Sequence, residues 1–165
     1  MIVVADAGPI QYLVRIEAID VLGPLYQRVL IPETVARELQ HANTPAAVRS
    51  WMALPPGWCE VHPDPPVDPT LAFLDTGERA AIALAVVVRA DALLIDEYDG
   101  REEAKHRQLR VTGTLGVLSA GHQVGLLDFE TALAKLRRTN FYIADGIIDG
   151  IRQLLRRARP NENPT

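Results

Sequence analysis

The sequence predicts an α/β fold: a three-layer α/β/α open sheet, mainly parallel, with extra helices after the last strand. Three observations carry that expectation. Short, β-branched apolar runs without polar alternation recur at Ile2 to Ala5, Val29 to Ile31, Ala92 to Ile95 and, more weakly, Leu109 to Thr112, the pattern of strands buried on both faces of a parallel sheet. Between them the apolar spacing becomes helical, and strands alternating with helices build sheets covered on both sides. The 165 residues, 48% hydrophobic and 23% charged, suffice for one domain that buries a core without a disulfide or metal staple.

After the first strand, Gly8-Pro9 opens a helix marked by Ile10, Leu13, Val14 and Ile16, and a second short helix covers Ile19 to Tyr26 around Gly23-Pro24. Pro32 follows the second strand where a first helical turn tolerates proline, so Pro32 to His41 is expected to be helical. Thr44-Pro45 repeats the cap-plus-proline signal and opens a helix to about Leu54. Pro55 to Pro69 holds six prolines and one glycine around Trp58-Cys59-Glu60-Val61, which is either a short edge strand or an extended loop. Asp75-Thr76-Gly77-Glu78 is a capping box ahead of the apolar run Ala80 to Val88. Gly100 to Leu109 is a charged helix, Thr114 to Gln123 another that stops near Gly125, and Asp128 to Arg138 and Asp145 to Arg157 are amphipathic helices with basic ends. Residues 1–158 are expected to form the domain and residues 159–165 a frayed polar tail.

Lys+Arg 17 against Asp+Glu 21 leaves a formal charge of −4. That argues against coating nucleic acid by bulk charge but leaves room for a local basic groove. A single cysteine, Cys59, rules out an internal disulfide and a Cys-rich zinc site, and His41, His62, His106 and His122 show no ligand spacing. The apolar runs fall short of the roughly 18–20 residues of a membrane span, and no basic segment precedes Ile2 as a secretory signal requires. A soluble, cytoplasmic protein is expected.

In open α/β sheets ligands gather outside the carboxyl ends of the strands. Two strands here run into acids: the first into Asp6, and the run Ala92 to Ile95 into Asp96, followed by Glu97 and Asp99. Glu38, in the Pro32 helix, and Glu78, in the first turn of the helix from Thr76, are positioned to join them. Clustered carboxylates repel and raise one another's pKa unless a cation neutralises them. Mg²⁺ or Mn²⁺, with their preference for oxygen ligands and water, would do so and would support metal-assisted phosphodiester hydrolysis with no protein nucleophile. Each acid also has a plainer role: Asp6 as a cap, Glu38 as a solvated partner of Arg37, Glu78 as half of the capping box, Asp99 as an N-cap, and Asp75 as a cap alone. Thr112 and Thr114 flank a glycine beside the same crevice, with an N-cap role open to Thr114. Arg101, Lys105, Arg107 and Arg110 either rim the acids and hold phosphates or form a solvated face.

The order Asp6, Glu38, Glu78, Asp96 resembles that of the PIN domain. More narrowly, Val4-Ala5-Asp6-Ala7-Gly8-Pro9-Ile10, Val29-Leu30-Ile31-Pro32, Leu74-Asp75-Thr76-Gly77-Glu78, Leu94-Ile95-Asp96-Glu97 and Val111-Thr112-Gly113-Thr114-Leu115-Gly116 resemble the VapC-like branch of uncharacterised PIN-like proteins. The resemblance implies a PIN-like fold and a Mg²⁺- or Mn²⁺-dependent ribonuclease, the toxin of a toxin–antitoxin pair, with an RNA substrate, a protein antitoxin and a homodimeric state. It implies Asp6, Glu38, Glu78 and Asp96 as catalytic acids, with Asp6, Glu38, Asp96 and Asp99 holding metal. Glu97, Thr112 and Thr114 would support them, and Arg101 and Lys105 would meet RNA. Many family members carry an Asp inside the later helix where this chain has Glu78 near its start, so a catalytically degenerate RNA- or protein-binding module is the alternative. A haloacid-dehalogenase-like phosphatase also begins with a strand-end Asp, but it needs a second Asp where this chain has Gly8.

Overall fold

The computed structural model of the chain describes residues 1–159. Most of the expected tail, residues 160–165, lies outside the described residues.

Five strands form one sheet: β1 (Ile2–Ala5), β2 (Arg28–Pro32), β3 (Cys59–His62), β4 (Ala92–Leu94) and β5 (Val111–Thr112). Their order is β3-β2-β1-β4-β5, and every neighbouring pair is parallel. Nine α-helices connect and follow them among the described residues: α1 (Ala7–Arg15), α2 (Leu22–Tyr26), α3 (Glu33–Leu39), α4 (Ala46–Ala53), α5 (Thr76–Val87), α6 (Tyr98–His106), α7 (Thr114–Gln123), α8 (Phe129–Leu136) and α9 (Ile147–Arg157).

Because successive strand side chains point to opposite faces, the apolar runs divide between two cores. Val3, Ala5, Val29, Ile31 and Leu94 face a core closed by α1 to α4 and α7 to α9. Val4, Leu30, Leu93 and Ile95 face a second core, where α5 contributes Ala81, Ile82, Leu84 and Ala85 and α6 contributes Ala104. The sheet is covered on both sides, giving the expected three layers.

The connections position the site. From β1 the chain steps outward through β2 to β3, then returns to lay β4 on the other side of β1. This reversal is where an open α/β sheet forms a crevice at its carboxyl edge. Asp6 leaves β1 there, its N–H donating to the Leu94 carbonyl at 2.9 Å, and Asp96 follows β4 one strand away.

Several element ends differ from the sequence expectation. The Pro-rich stretch does form an edge strand, β3, in register with β2. The last strand is only Val111–Thr112. Helix α6 starts at Tyr98 rather than Gly100, so Asp99 lies in its first turn and is not its N-cap. Pro45, not Thr44, is the N-cap of α4; the Thr44 hydroxyl donates instead to the Glu38 carbonyl at 2.8 Å. Cys59 is buried, and burial pushes its thiol up to about 12, which leaves it unreactive. Among the described residues no helix is long and apolar enough to cross a membrane.

Candidate active site

Asp6 is buried at the end of β1, with 6% of its surface exposed. It occupies the N-cap position of α1 but makes no side-chain capping bond, so the plainer role open to it is not the one it fills. Burial is the main cause that pushes its carboxyl up to about 8; the Ala7 N–H opposes this, while the charges of Asp75, Glu38 and Glu78 add to it.

Gly77, in the first turn of α5, shows how closely these acids approach. A Cβ on Gly77 would lie 2.7 Å from Glu38 Oε2, 3.3 Å from Asp6 Oδ1 and 3.6 Å from Asp75 Oδ1. Three carboxylates from β1, α3 and the start of α5 therefore point at one small volume that the missing side chain leaves open. Glu38 reaches it because α3 starts directly from β2, beside β1. Its carboxyl is also raised, by burial first and then by the Asp75 charge.

Glu78 is buried one residue further along. Asp75 Oδ1 accepts the Glu78 N–H at 2.8 Å, as the capping box requires. The Glu78 carboxyl turns toward α6, its Cδ 3.5 Å from where a Gly100 Cβ would stand. Burial, then Asp75, pushes it up to about 7; a backbone hydrogen bond from Asp75 opposes this, and Glu97 and Asp99 add to it. Glu97 and Asp99 are exposed at the start of α6.

Asp96 closes the other side. Its Oδ1 accepts the Thr114 N–H and its Oδ2 the Thr114 hydroxyl, both at 2.7 Å. Thr114 is fully buried as the first residue of α7, so its hydroxyl fixes Asp96 rather than capping its own helix. Asp96 Oδ2 also lies 3.5 Å from the Cβ position of Gly8, which places it against the start of α1. Burial raises the Asp96 carboxyl, opposed by the two Thr114 bonds and the Arg101 charge. Arg101 donates Nη1 to the Ile95 carbonyl at 2.9 Å. Thr112 is half-buried in β5.

The structure thus brings Asp6 and Glu38 to one volume, with Glu78 near enough to act on Asp6 but turned toward α6, and sets Asp96 after the neighbouring strand. Sequence reasoning undervalued Asp75: besides its cap, it borders the Gly77 volume and acts electrostatically on all three acids of that group. The basic residues of α6 divide. Lys105 pairs with Glu102 at 2.6 Å, and Arg107, just past the end of α6, pairs with Asp68 and Glu103 at 2.8 Å each; of these three, Arg101 is the one beside Asp96. Among the described residues, no group of three or more His, Cys, Asp or Glu side chains is closed tightly enough to hold a metal ion as it stands.

A family model described as a PIN domain matches residues 2–157. The chain belongs to the PIN domain family. Among solved structures, this PIN domain is similar to a PilT N-terminus domain protein from the hyperthermophilic archaeon Sulfolobus solfataricus, with a TM-score of 0.51 and 14% sequence identity, over 87% of this chain and 100% of that one. At that identity the likeness speaks for the fold alone. No curated protein matches the chain. PIN domains are typically nucleases and generally use divalent metals.

Proposed function

We propose that this PIN domain is an endoribonuclease that hydrolyses RNA phosphodiesters with the help of Mg²⁺ or Mn²⁺. The observation that carries the reading is the convergence of Asp6, Glu38 and Asp75 on the volume left open by Gly77, at the switch point of the sheet. An all-carboxylate donor set suits a hard divalent cation, and acids pushed this far upward by burial and mutual repulsion are stabilised by a positive charge.

Asp6, Glu38, Asp96 and Asp99 are the residues that would hold the ion. When bound, the cation offsets the negative charge of acids and phosphate and makes water a better nucleophile. The other steps belong to the chain. Thr114 holds the Asp96 carboxylate in one orientation, with Thr112 and Glu97 beside it. Glu78, titrating near neutrality, gains or gives up a proton at its carboxylate oxygens. Arg101 spends one N–H on the Ile95 carbonyl and turns its remaining donors to a phosphate, with Lys105 one turn further along α6. The toxin role, a protein antitoxin, a homodimer and a cytoplasmic location belong to the same proposal and rest on the family resemblance.

The test is Mn²⁺-dependent cleavage of a mixed-sequence RNA. Asp6→Asn should abolish it and keep the circular dichroism spectrum unchanged; undiminished cleavage by that variant refutes the assignment. A binding-only module is the second reading, favoured by the cap bond between Asp75 and Glu78 and by the position of Glu78 in the first turn of α5. It requires that the intact chain show neither EDTA-sensitive cleavage nor stabilisation by Mn²⁺.

A further inference from the structure

His122 is asked for more hydrogen bonds than an imidazole can accept. The Phe129 N–H donates to its Nδ1 at 3.1 Å, and Arg159 Nη2 stands 3.1 Å from its Nε2. A neutral ring has one lone pair to offer and a protonated ring has none, so one of the two contacts sets donor against donor. The main-chain N–H is the one that cannot turn away, because it belongs to the first residue of α8, where no carbonyl of the helix can use it. Nδ1 therefore accepts it and the ring proton sits on Nε2. That leaves Nε2–H and the Arg159 guanidinium facing each other, with no acceptor between them among the described residues.

The pair stands in a cleft of about 370 Å³ between the end of α7, the start of α8 and the end of α9. Arg156 lines the same cleft, and the Arg159 N–H returns to the Arg156 carbonyl at 3.4 Å, so both arginines belong to one end of α9. Basic residues at a helix C-terminus are ordinary in themselves; here they meet a third donor from another helix. The acids of the cleft are engaged elsewhere. Glu130 holds Arg152 through both oxygens, at 2.8 and 3.0 Å. Asp128 Oδ2 accepts the Thr131 N–H and hydroxyl, and its Oδ1 lies 3.9 Å from His122 Nδ1, outside hydrogen-bond reach. Arg152 cancels Glu130 and Asp128 cancels one of Arg156 and Arg159, which leaves one uncompensated cation beside the donors.

We infer that this cleft is a phosphate site, which takes the phosphate group of a nucleotide or of an RNA strand on His122 Nε2–H, Arg156 and Arg159. An oxyanion is the ligand that turns the donor–donor contact into charge-assisted bonds. The volume admits a whole nucleotide and not only the bare anion. This site is separate from the acid cluster: Thr114, which holds Asp96, and His122 stand near opposite ends of α7, about 12 Å apart along its axis. The inference goes beyond the nuclease reading and does not need it.

The test is isothermal titration calorimetry of the whole chain with sodium phosphate and with AMP, in EDTA, against sodium chloride at equal ionic strength. Phosphate and AMP should bind saturably and chloride should not. Arg156→Gln, Arg159→Gln and His122→Asn should each weaken binding roughly tenfold or more; Asn keeps an acceptor where Nδ1 stands and removes the Nε2 donor. Arg101→Gln, beside Asp96, should leave phosphate affinity unchanged. Nitrogen-15 NMR of the His122 ring should place its proton on Nε2 and show that resonance moving as phosphate is added. Absence of saturable binding, all three variants within about twofold of the parent, an equal loss in Arg101→Gln, or a ring proton on Nδ1 alone overturns the inference. Fluorescence anisotropy of a labelled single-stranded RNA of about twelve nucleotides separates the two sources. RNA affinity that falls in the same three variants, with AMP competing, assigns the phosphate to the strand; RNA affinity unmoved while AMP binding is lost assigns it to a free nucleotide. The nuclease reading fails separately, through the absence of EDTA-sensitive cleavage, which this titration does not measure.

Discussion

Replacing Asp6 by Asn should make the metal-free protein more stable at neutral pH while removing its activity. Asp6 is pushed from 3.8 to about 8 in the folded chain, and the sign of the effect follows from that direction. Below pH 3.8 the carboxyl is protonated in both folded and unfolded chains and carries no penalty. As pH rises toward 8 the unfolded chain ionises while the buried group keeps its proton, so folding loses stability throughout that window. Each pH unit costs about 1.4 kcal/mol, which puts the penalty on the order of 4 kcal/mol at about pH 7. Asn removes the charge but leaves a polar group to bury, so a gain of about 2 kcal/mol or more is expected, worth roughly 4–8 °C in Tm for a domain of this size. The assay is thermal unfolding of EDTA-treated wild type and Asp6→Asn at about pH 4 and about pH 7.5. The variant should be the more stable at the higher pH, the difference should shrink at the lower, and added Mn²⁺ should raise wild type but not the variant. A variant no more stable than wild type at the higher pH, or a difference independent of pH, refutes the electrostatic account.

The other expectations concern the groups around Asp6. Gly77→Ala improves helix propensity by up to about 1 kcal/mol, but its Cβ, 2.7 Å from Glu38 Oε2, displaces the end of a flexible side chain; Tm should hold or rise while cleavage and Mn²⁺-dependent stabilisation fall at least about tenfold. Thr114→Val keeps the shape of a fully buried residue and deletes a hydroxyl bonded to Asp96; a loss of about 1–3 kcal/mol in urea unfolding is expected, with Thr114→Ser recovering most of it. Arg101→Ala should weaken RNA binding and lower the salt slope by about one, whereas Lys105→Ala, whose ammonium is paired with Glu102, should change binding much less in the same titration. Removal of divalent ions with EDTA should abolish cleavage, and restoring Mn²⁺ or Mg²⁺ should recover it.

The fold was legible because burial on two faces leaves a plain mark. Val3 and Val4 go to opposite cores, so neither position tolerates a polar residue and the run stays apolar throughout. What escaped was set by packing rather than by local propensity. Gly100 is not the start of α6 but a close-packing position inside it, where a Cβ would stand 2.5 Å from Ile95 Cδ1, a constraint that comes from tertiary packing. The brevity of β5 likewise follows from edge position: only Val111 and Thr112 find partners on β4. Thr44 shows the same limit, since a residue that looks like a cap spends its hydroxyl on the Glu38 carbonyl.

For the candidate site, Asp6 and Asp96 could be found from sequence because a strand end fixes where its next residue points. Glu38 and Glu78, on helices, have no such constraint, and the resemblance supplied what spacing alone did not. Asp75 was undervalued because a capping role explained it completely, and one explanation conceals another when a single carboxylate has two oxygens and several neighbours. The overlooked signal lay in the glycines. Gly8 abuts Asp96, Gly77 abuts Glu38 and Asp6, Gly100 abuts Glu78, and Gly113 abuts Asp96 and Arg101. Gly8, Gly77 and Gly100 lie within two residues of a candidate acid in the sequence and Gly113 lies between Thr112 and Thr114, and each has a Cβ position within 3.5 Å of a candidate side chain. Where helix starts and strand ends crowd together around charged groups, removing a side chain from the backbone makes room for the carboxylates to meet. A glycine beside an acid at a strand-to-helix junction is therefore a better pointer to a convergent site than the acid by itself, because a solvated acid has no need of the space.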